Sequence, residues 1–329
     1  MTLYAWARVR RFPRLPRPEP RYFDVAPNAR VLALCYWQPR PRGTATLLAL
    51  HGLEGSATAH YMQGLADKAF ARGMNVVLLN QRNCGGTEHL SATLYHSGLT
   101  QDPRFVLEEL IAVDGLERIA VVGYSLGGNL TLKLAGEYGP EAPRALRAMA
   151  AVSPTLDLTC CVDALERRAN RLYEWNFVRN LKARMRRKSR LFPELFDATP
   201  LRAVRSVRAF DDIYTAPHFG FGSADRYYAQ ASSARVAARI ALPTLLLSAA
   251  NDPFVPPEQF SAPALRDNPR VAVTLTPDGG HCGFVEAPRD EYDGYWAEAV
   301  TVAFVERHLR DGPGGHGAET TAGRPEAAA

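Results

Sequence analysis

The 329 residues are 47% hydrophobic and 22% charged, a balance that excludes a largely disordered chain and leaves room for one large α/β domain with an insertion or two smaller domains. No apolar run reaches membrane-spanning length, and the arginine-bearing start lacks the apolar stretch of a signal peptide, so a cytoplasmic location is expected. The net charge of +5 is concentrated in residues 8–21 and 182–190; neither run is interleaved with stacking aromatics, so no specific nucleic-acid partner is expected.

In chain order, the runs at residues 22–25 and 30–37 predict two antiparallel strands around the turn at Pro27 and Asn28. Thr46 to Leu50 is a continuous apolar strand that ends at His51-Gly52-Leu53-Glu54-Gly55-Ser56. Met62, Leu65, Ala66, Ala69 and Phe70 have helical spacing, Asn75 to Leu79 is the next strand, and Val106, Leu107, Leu110 and Ile111 mark a further helix. Strands follow at residues 118–122 and 146–152, with a helix through 130–137 between them. Buried strands alternating with helices predict a mostly parallel, doubly wound sheet, which binds ligands at the carboxyl ends of its strands.

The alternation stops after Pro154 and resumes with a strand at 242–247, so the predicted division is a core in two parts, 1–157 and 241–310, with a helical cap at 158–240. Within the cap, Leu172, Trp175, Val178, Leu181 and Met185 are expected to form the packed stripe of a helix, opposite Arg179, Lys182, Arg186, Arg187 and Arg190. A solvated basic face is the plain reading of those cations, and peripheral contact with a membrane surface is the alternative. A helix at 258–266, a strand at 271–275 and a last helix at 292–309 complete the core, and the Gly- and Ala-rich tail 311–329 is expected to be disordered.

The strand, turn and helix surround Gly123-Tyr124-Ser125-Leu126-Gly127, a G-x-S-x-G pattern. Three fixed positions recur by chance in roughly one chain in ten of this length, so the pattern counts only if Ser125 has partners. A serine hydroxyl needs a base to take its proton, and the base needs an acid to fix its tautomer. On a strand-turn-helix elbow these follow in the order Ser, Asp or Glu, His. Asp252, in a loop after a strand, and His281, in the glycine-bounded loop after the last strand, fit that order.

Each residue has a structural alternative: Ser125 as a helix N-cap, Asp252 as a turn initiator before Pro253, His281 as a surface histidine. Asp157 and Asp278 are rival acids, the first lying before the cap and the second close enough to His281 in sequence to shape its turn. His51 is expected to support the loop rather than act as a base. The backbone N–H groups of Leu53 and Leu126 are the expected oxyanion donors. Cys35, Cys84, Cys160, Cys161 and Cys282 lack C-x-x-C spacing and read as reduced thiols; no metal ligand set and no cofactor motif is apparent.

Taken together, His51 to Ser56, Tyr95-His96-Ser97-Gly98, Gly123 to Asn129 with Lys133, Gly136 and Glu137, Asn251-Asp252-Pro253 and Gly279-Gly280-His281 resemble the α/β-hydrolase family that includes bacterial YheT-type hydrolases, fungal medium-chain ethyl-ester synthase/esterases and related vertebrate phospholipases. Phe210, Asp211, Thr215, Gly220, Phe221, Tyr227 and Tyr228 in the cap fit the same pattern, so the resemblance runs from about residue 31 to 309. It implies an α/β-hydrolase fold, a Ser125, Asp252, His281 triad and small or lipid-like ester substrates cleaved through an acyl-enzyme. Acyl transfer to an alcohol and a non-catalytic ligand-binding role are the competing expectations. Asn83 departs from the family pattern where glycine is usual, and Asn tolerates the left-handed backbone such a loop needs. Pro103, where an apolar residue is usual, is expected to start a helix.

Overall fold

A computed structural model describes residue 2, residues 9–290 and residues 292–310. The expected disordered tail lies outside these. Eight strands form one sheet: β1 Glu19–Ala26, β2 Ala29–Tyr36, β3 Thr46–Leu50, β4 Asn75–Leu79, β5 Ile119–Tyr124, β6 Leu146–Val152, β7 Thr244–Ala249 and β8 Val271–Thr276. Their spatial order is β1-β2-β4-β3-β5-β6-β7-β8. The hairpin β1–β2 turns at Pro27 and Asn28, and β2 pairs antiparallel with β4. The remaining pairings are parallel, with Leu50 beside Gly123 and Tyr124 beside Val152. The strands β3, β4, β5 and β7 are buried along their whole length, which is why each reads as an apolar run rather than an alternating one.

Helices cover both faces. One face carries α1, His60–Ala71, and the last described helix; the other carries α2, Gln101–Ala112, and α3, Leu126–Tyr138. Between β6 and β7 stands the cap. Its longer helices are α4, Leu158–Leu165; α5, Arg171–Leu191; and α6, Ala224–Ala231. A separate apolar cluster, with Leu165, Val178, Leu181, Met185, Val207 and Phe210 among its members, holds the cap together and packs on Leu94 and Phe254 of the core. The last helix is α7, Trp296–Arg310. Among the described residues no helix is long and apolar enough to cross a membrane.

Three expectations change. The helix expected at 258–266 is split into a 3₁₀ turn, Pro257–Ser261, and a short helix, Pro263–Arg266, because Ala262 precedes a proline and takes an extended ψ of 134°. The last helix begins at Trp296 rather than near Tyr292, since Gly294 turns at φ 83°. In α5 the expected apolar stripe breaks up: Val178, Leu181 and Met185 are buried, but Leu172 and Trp175 are 76% and 60% exposed. Two cations of the basic run go inward instead, Arg184 at 4% exposure and Lys188 at 0%. Asn83 has φ 64°, the left-handed backbone expected of it, and Pro103 lies in the first turn of α2.

Candidate active site

Ser125 sits between β5 and α3 with φ 53° and ψ −117°, a backbone that costs a serine energy and persists only where the surroundings enforce it. Two glycines make the enforcement possible. A Cβ on Gly123 would lie 2.0 Å from the Gly127 carbonyl oxygen, and one on Gly127 would lie 2.4 Å from that of Leu50. Strand and helix thus touch through bare backbone, and the hydroxyl stands clear of both at the carboxyl edge of the sheet.

The loops after β7 and β8 bring two more groups to that edge. The imidazole of His281 has Nε2 at 2.8 Å from Ser125 Oγ and Nδ1 at 2.8 Å from Asp252 Oδ2. Asp252 Oδ1 accepts from the backbone N–H of Phe254 and of Val255, so its carboxylate is fixed with one oxygen free for His281. With Asp252 accepting, Nδ1 carries the proton and Nε2 is left to accept from the serine hydroxyl. Burial alone would lower the His281 pKa; the adjacent Asp252 carboxylate outweighs it and raises the pKa above the ordinary histidine value.

The rival acids lie elsewhere. Asp157 N-caps α4 by accepting from Cys160 N–H, and Asp278 accepts from the Asn251 side chain. His51 is fully buried, with Nδ1 at 2.7 Å from the Gly52 carbonyl and Nε2 accepting from Gln81 N–H at 3.1 Å, and burial pushes its pKa down to about 4. It braces the loop after β3 as a neutral ring. In that loop the N–H groups of Gly52, Glu54 and Gly55 are committed to Tyr61 Oη, Tyr95 Oη and the Gly52 carbonyl. Among the described residues the Leu53 N–H has no such partner, and neither has the Leu126 N–H at the first turn of α3. Gly52 lies against Ser125: a Cβ there would be 3.1 Å from Ser125 Cβ.

Several supporting groups have roles that the sequence does not assign. Asn251 Oδ1 accepts from the N–H groups of Gly279 and Gly280, tying the acid's loop to the histidine's loop. The Phe254 ring lies 4.3 Å from the His281 ring, and His281 N–H donates to Thr2 Oγ1 at 2.8 Å. Arg184 reaches from α5 into the core, where its Nε donates to Glu54 Oε1 at 2.8 Å and its guanidinium lies 4.9 Å from the Tyr95 ring centre. Asn129 of α3 donates to the carbonyls of Ser97 and Ala231 and accepts from Ser233 N–H, joining the elbow helix to a core loop and to the end of the cap.

Ser125 faces two spaces. One is a mostly apolar pocket under the cap, with Leu158, Val162, Leu165, Phe177, Leu181 and Phe210 in its wall. A polar patch also lines it, where Asp211 accepts from Thr215 Oγ1 at 2.6 Å and from Tyr228 Oη at 2.7 Å; burial raises the Asp211 pKa to about 6. The other is an opening to solvent between the Gly52–Gly55 loop, Tyr61 and the α5 residues Asn176, Phe177 and Asn180. Among the described residues no group of three or more His, Cys, Asp or Glu side chains could hold a metal ion.

The comparisons with known proteins agree with this architecture. The protein named "Putative esterase YheT" of Escherichia coli is 35% identical over 274 residues, covering 83% of this chain and 78% of its own. The Bos taurus protein named phospholipase ABHD3 is 29% identical over 81% of this chain, which spans 64% of that longer relative. Among solved structures, the Pyrococcus furiosus esterase Pf2001 superposes with a TM-score of 0.56 over 89% of this chain and 93% of its own, at 15% identity. The family profile described as alpha/beta hydrolase fold matches residues 45–288, and the chain belongs to that family.

Proposed function

We propose that this hydrolase cleaves carboxylic esters through an acyl-enzyme formed on Ser125. The observation that carries the reading is the pair of 2.8 Å contacts through which His281 links Ser125 to Asp252. His281 Nε2 takes the hydroxyl proton as Oγ attacks the acyl carbonyl, and Asp252 stabilises the resulting imidazolium. The carbonyl oxygen becomes an oxyanion held by the N–H groups of Leu53 and Leu126. Collapse breaks the ester C–O bond, and His281 returns its proton to the departing alcohol. Water then repeats the sequence on the acyl-serine, giving the acid and restoring Ser125.

The apolar pocket under the cap suits the acyl chain and the solvent-facing opening suits the alcohol. That the E. coli relative is named an esterase and the bovine one a phospholipase supports an ester substrate. Incubation with a fluorophosphonate should label Ser125, and p-nitrophenyl butyrate should be hydrolysed by the wild type but not by Ser125→Ala. Residual catalysis over water is about 10³–10⁴-fold when a triad member is removed, so the variant should lie orders of magnitude below wild type. Wild-type activity in Ser125→Ala would overturn the reading.

A further inference from the structure

On α5, Leu172, Trp175, Arg179, Lys182 and Arg186 recur at spacings of three and four and form one stripe along the helix. Trp175, Arg179, Lys182 and Arg186 line an open groove of about 430 Å³, joined by Arg171 and by Arg205 from the segment that follows. Five cations thus face one carboxylate, that of Glu174. Elsewhere in the same helix Arg184 and Lys188 turn inward, Arg184 pairing with Glu54 and Lys188 donating to the carbonyls of Glu88 and Ser91, while Arg187, itself about half exposed, pairs with Glu88. The five in the groove hold no ion pair among the described residues. Lys182 has its pKa lowered first by burial and then by the neighbouring charges of Arg205 and Arg186, which stand close to it in the groove.

Exposed apolar bulk accompanies the charge. Leu172 and Trp175 project at one end of the stripe, and Leu191 and Leu195, each about half exposed, lie at and just beyond the other end of the helix. Turned a fraction of the circumference away, the same helix presents Asn176 and Asn180 to the opening above Ser125. The stripe and the opening are therefore adjacent faces of one rigid element.

We propose that this stripe of α5 docks the protein on an anionic lipid surface, with Trp175 and Leu172 entering the headgroup layer and the five cations pairing with lipid phosphates. Charge complementarity selects this occupant, since cations beside exposed tryptophan and leucine match a surface that is anionic outside and apolar beneath. Docked in this way, the opening to Ser125 faces along the membrane. The inference goes beyond the ester-hydrolase reading and takes from it only the position of the opening.

The test uses the full chain carrying Ser125→Ala, so that binding is scored without turnover, and sedimentation with vesicles of phosphatidylcholine alone or mixed with phosphatidylglycerol. At about 0.1 M salt the protein should bind the mixed vesicles only, and at about 1 M salt, where the Debye length is about 3 Å, it should release them. Each cation at an anionic leaflet contributes about fivefold to binding, so Lys182→Glu/Arg186→Glu should weaken it by roughly a hundredfold or more. Arg179→Gln/Arg205→Gln, which only neutralises charge, should weaken it by roughly 25-fold. The blue shift of tryptophan emission on binding should vanish in Trp175→Phe. Soluble-ester hydrolysis is scored separately on the same substitutions with Ser125 restored and should stay at the wild-type rate, so loss of docking and loss of the hydrolase reading are told apart. Failure to bind mixed vesicles, binding that survives both charge variants, or capture of duplex DNA in place of vesicles would overturn the proposal.

Discussion

Arg184 and Glu54 offer a test of how the cap is coupled to the chemistry. Their side chains are 5% and 7% exposed and meet at 2.8 Å. At about 4 Å between charge centres and an effective dielectric of about 20, the attraction is about 4 kcal/mol, most of which offsets the cost of taking both charges out of water. Removing one partner leaves the other buried and unpaired, at a cost of about 3–5 kcal/mol. With an unfolding entropy of about 2 cal/mol/K per residue, Arg184→Met should lower Tm by about 4–7 °C. Glu54→Gln/Arg184→Met leaves no buried charge and should recover most of that loss.

Catalysis should not recover with stability. Glu54 follows Leu53 with φ 55°, and its N–H and carboxylate are both held by Tyr95 Oη, so the pair fixes the Leu53–Glu54 peptide, next to the one that carries the Leu53 N–H. Losing an oxyanion donor outright costs about 10²–10³-fold in kcat, and a loosened one should cost about tenfold or more. Thermal unfolding and kcat on p-nitrophenyl butyrate, measured on both variants, separate the two effects. If the double variant regains full kcat along with its Tm, the pair is structural only and the link to Leu53 is refuted.

Asp252→Asn should lower kcat by about 10⁴-fold and move the acid limb of kcat/KM to lower pH, because the limb reports the neutralisation of His281, whose pKa the carboxylate raises. The same raised pKa makes His281 contribute stability that is full below about pH 6.5 and is lost as pH rises through the folded-state value, so wild-type Tm should drop over that interval and that of Asp252→Asn should drop less. Gly127→Ala should fail to give soluble folded protein, since its Cβ would lie 2.4 Å from the Leu50 carbonyl oxygen and 2.6 Å from that of His51; a soluble, active variant would refute the packing argument. Leu165→Ala, which enlarges the pocket wall, should raise hydrolysis of p-nitrophenyl laurate relative to butyrate, and an unchanged ratio would move the acyl site elsewhere.

The core was legible because its signals are local. A buried parallel strand is an apolar run whatever surrounds it, and the loops that follow β3, β5, β7 and β8 carry His51, Ser125, Asp252 and His281 to one edge by topology alone. The cap was not legible in the same way. Leu172 and Trp175 have the spacing of a packed stripe, yet periodicity cannot say which neighbours a helix meets; α5 is rotated so that they face solvent. Arg184 and Lys188 read as surface charge because Glu54 and the carbonyls of Glu88 and Ser91, which let them be buried, lie about a hundred residues away in sequence. Asn251 belongs to the Asn251-Asp252-Pro253 motif, but only the loop geometry assigns it the work of joining two loops.

The three-way bracket at Asn129 bears on how a hydrolase of this kind can be re-engineered. The residue sits one turn along the helix that begins just after Ser125, and its single amide satisfies a carbonyl of the core and both a carbonyl and an N–H at the end of the cap. A transplanted cap would therefore have to return to the core with an acceptor where Ala231 stands and a donor where Ser233 stands. Without them it would leave a wholly buried amide unsatisfied beside Ser125. Exchange of the cap to change substrate range is thus best spliced C-terminal to Leu156 and N-terminal to Ala231, keeping the native return segment.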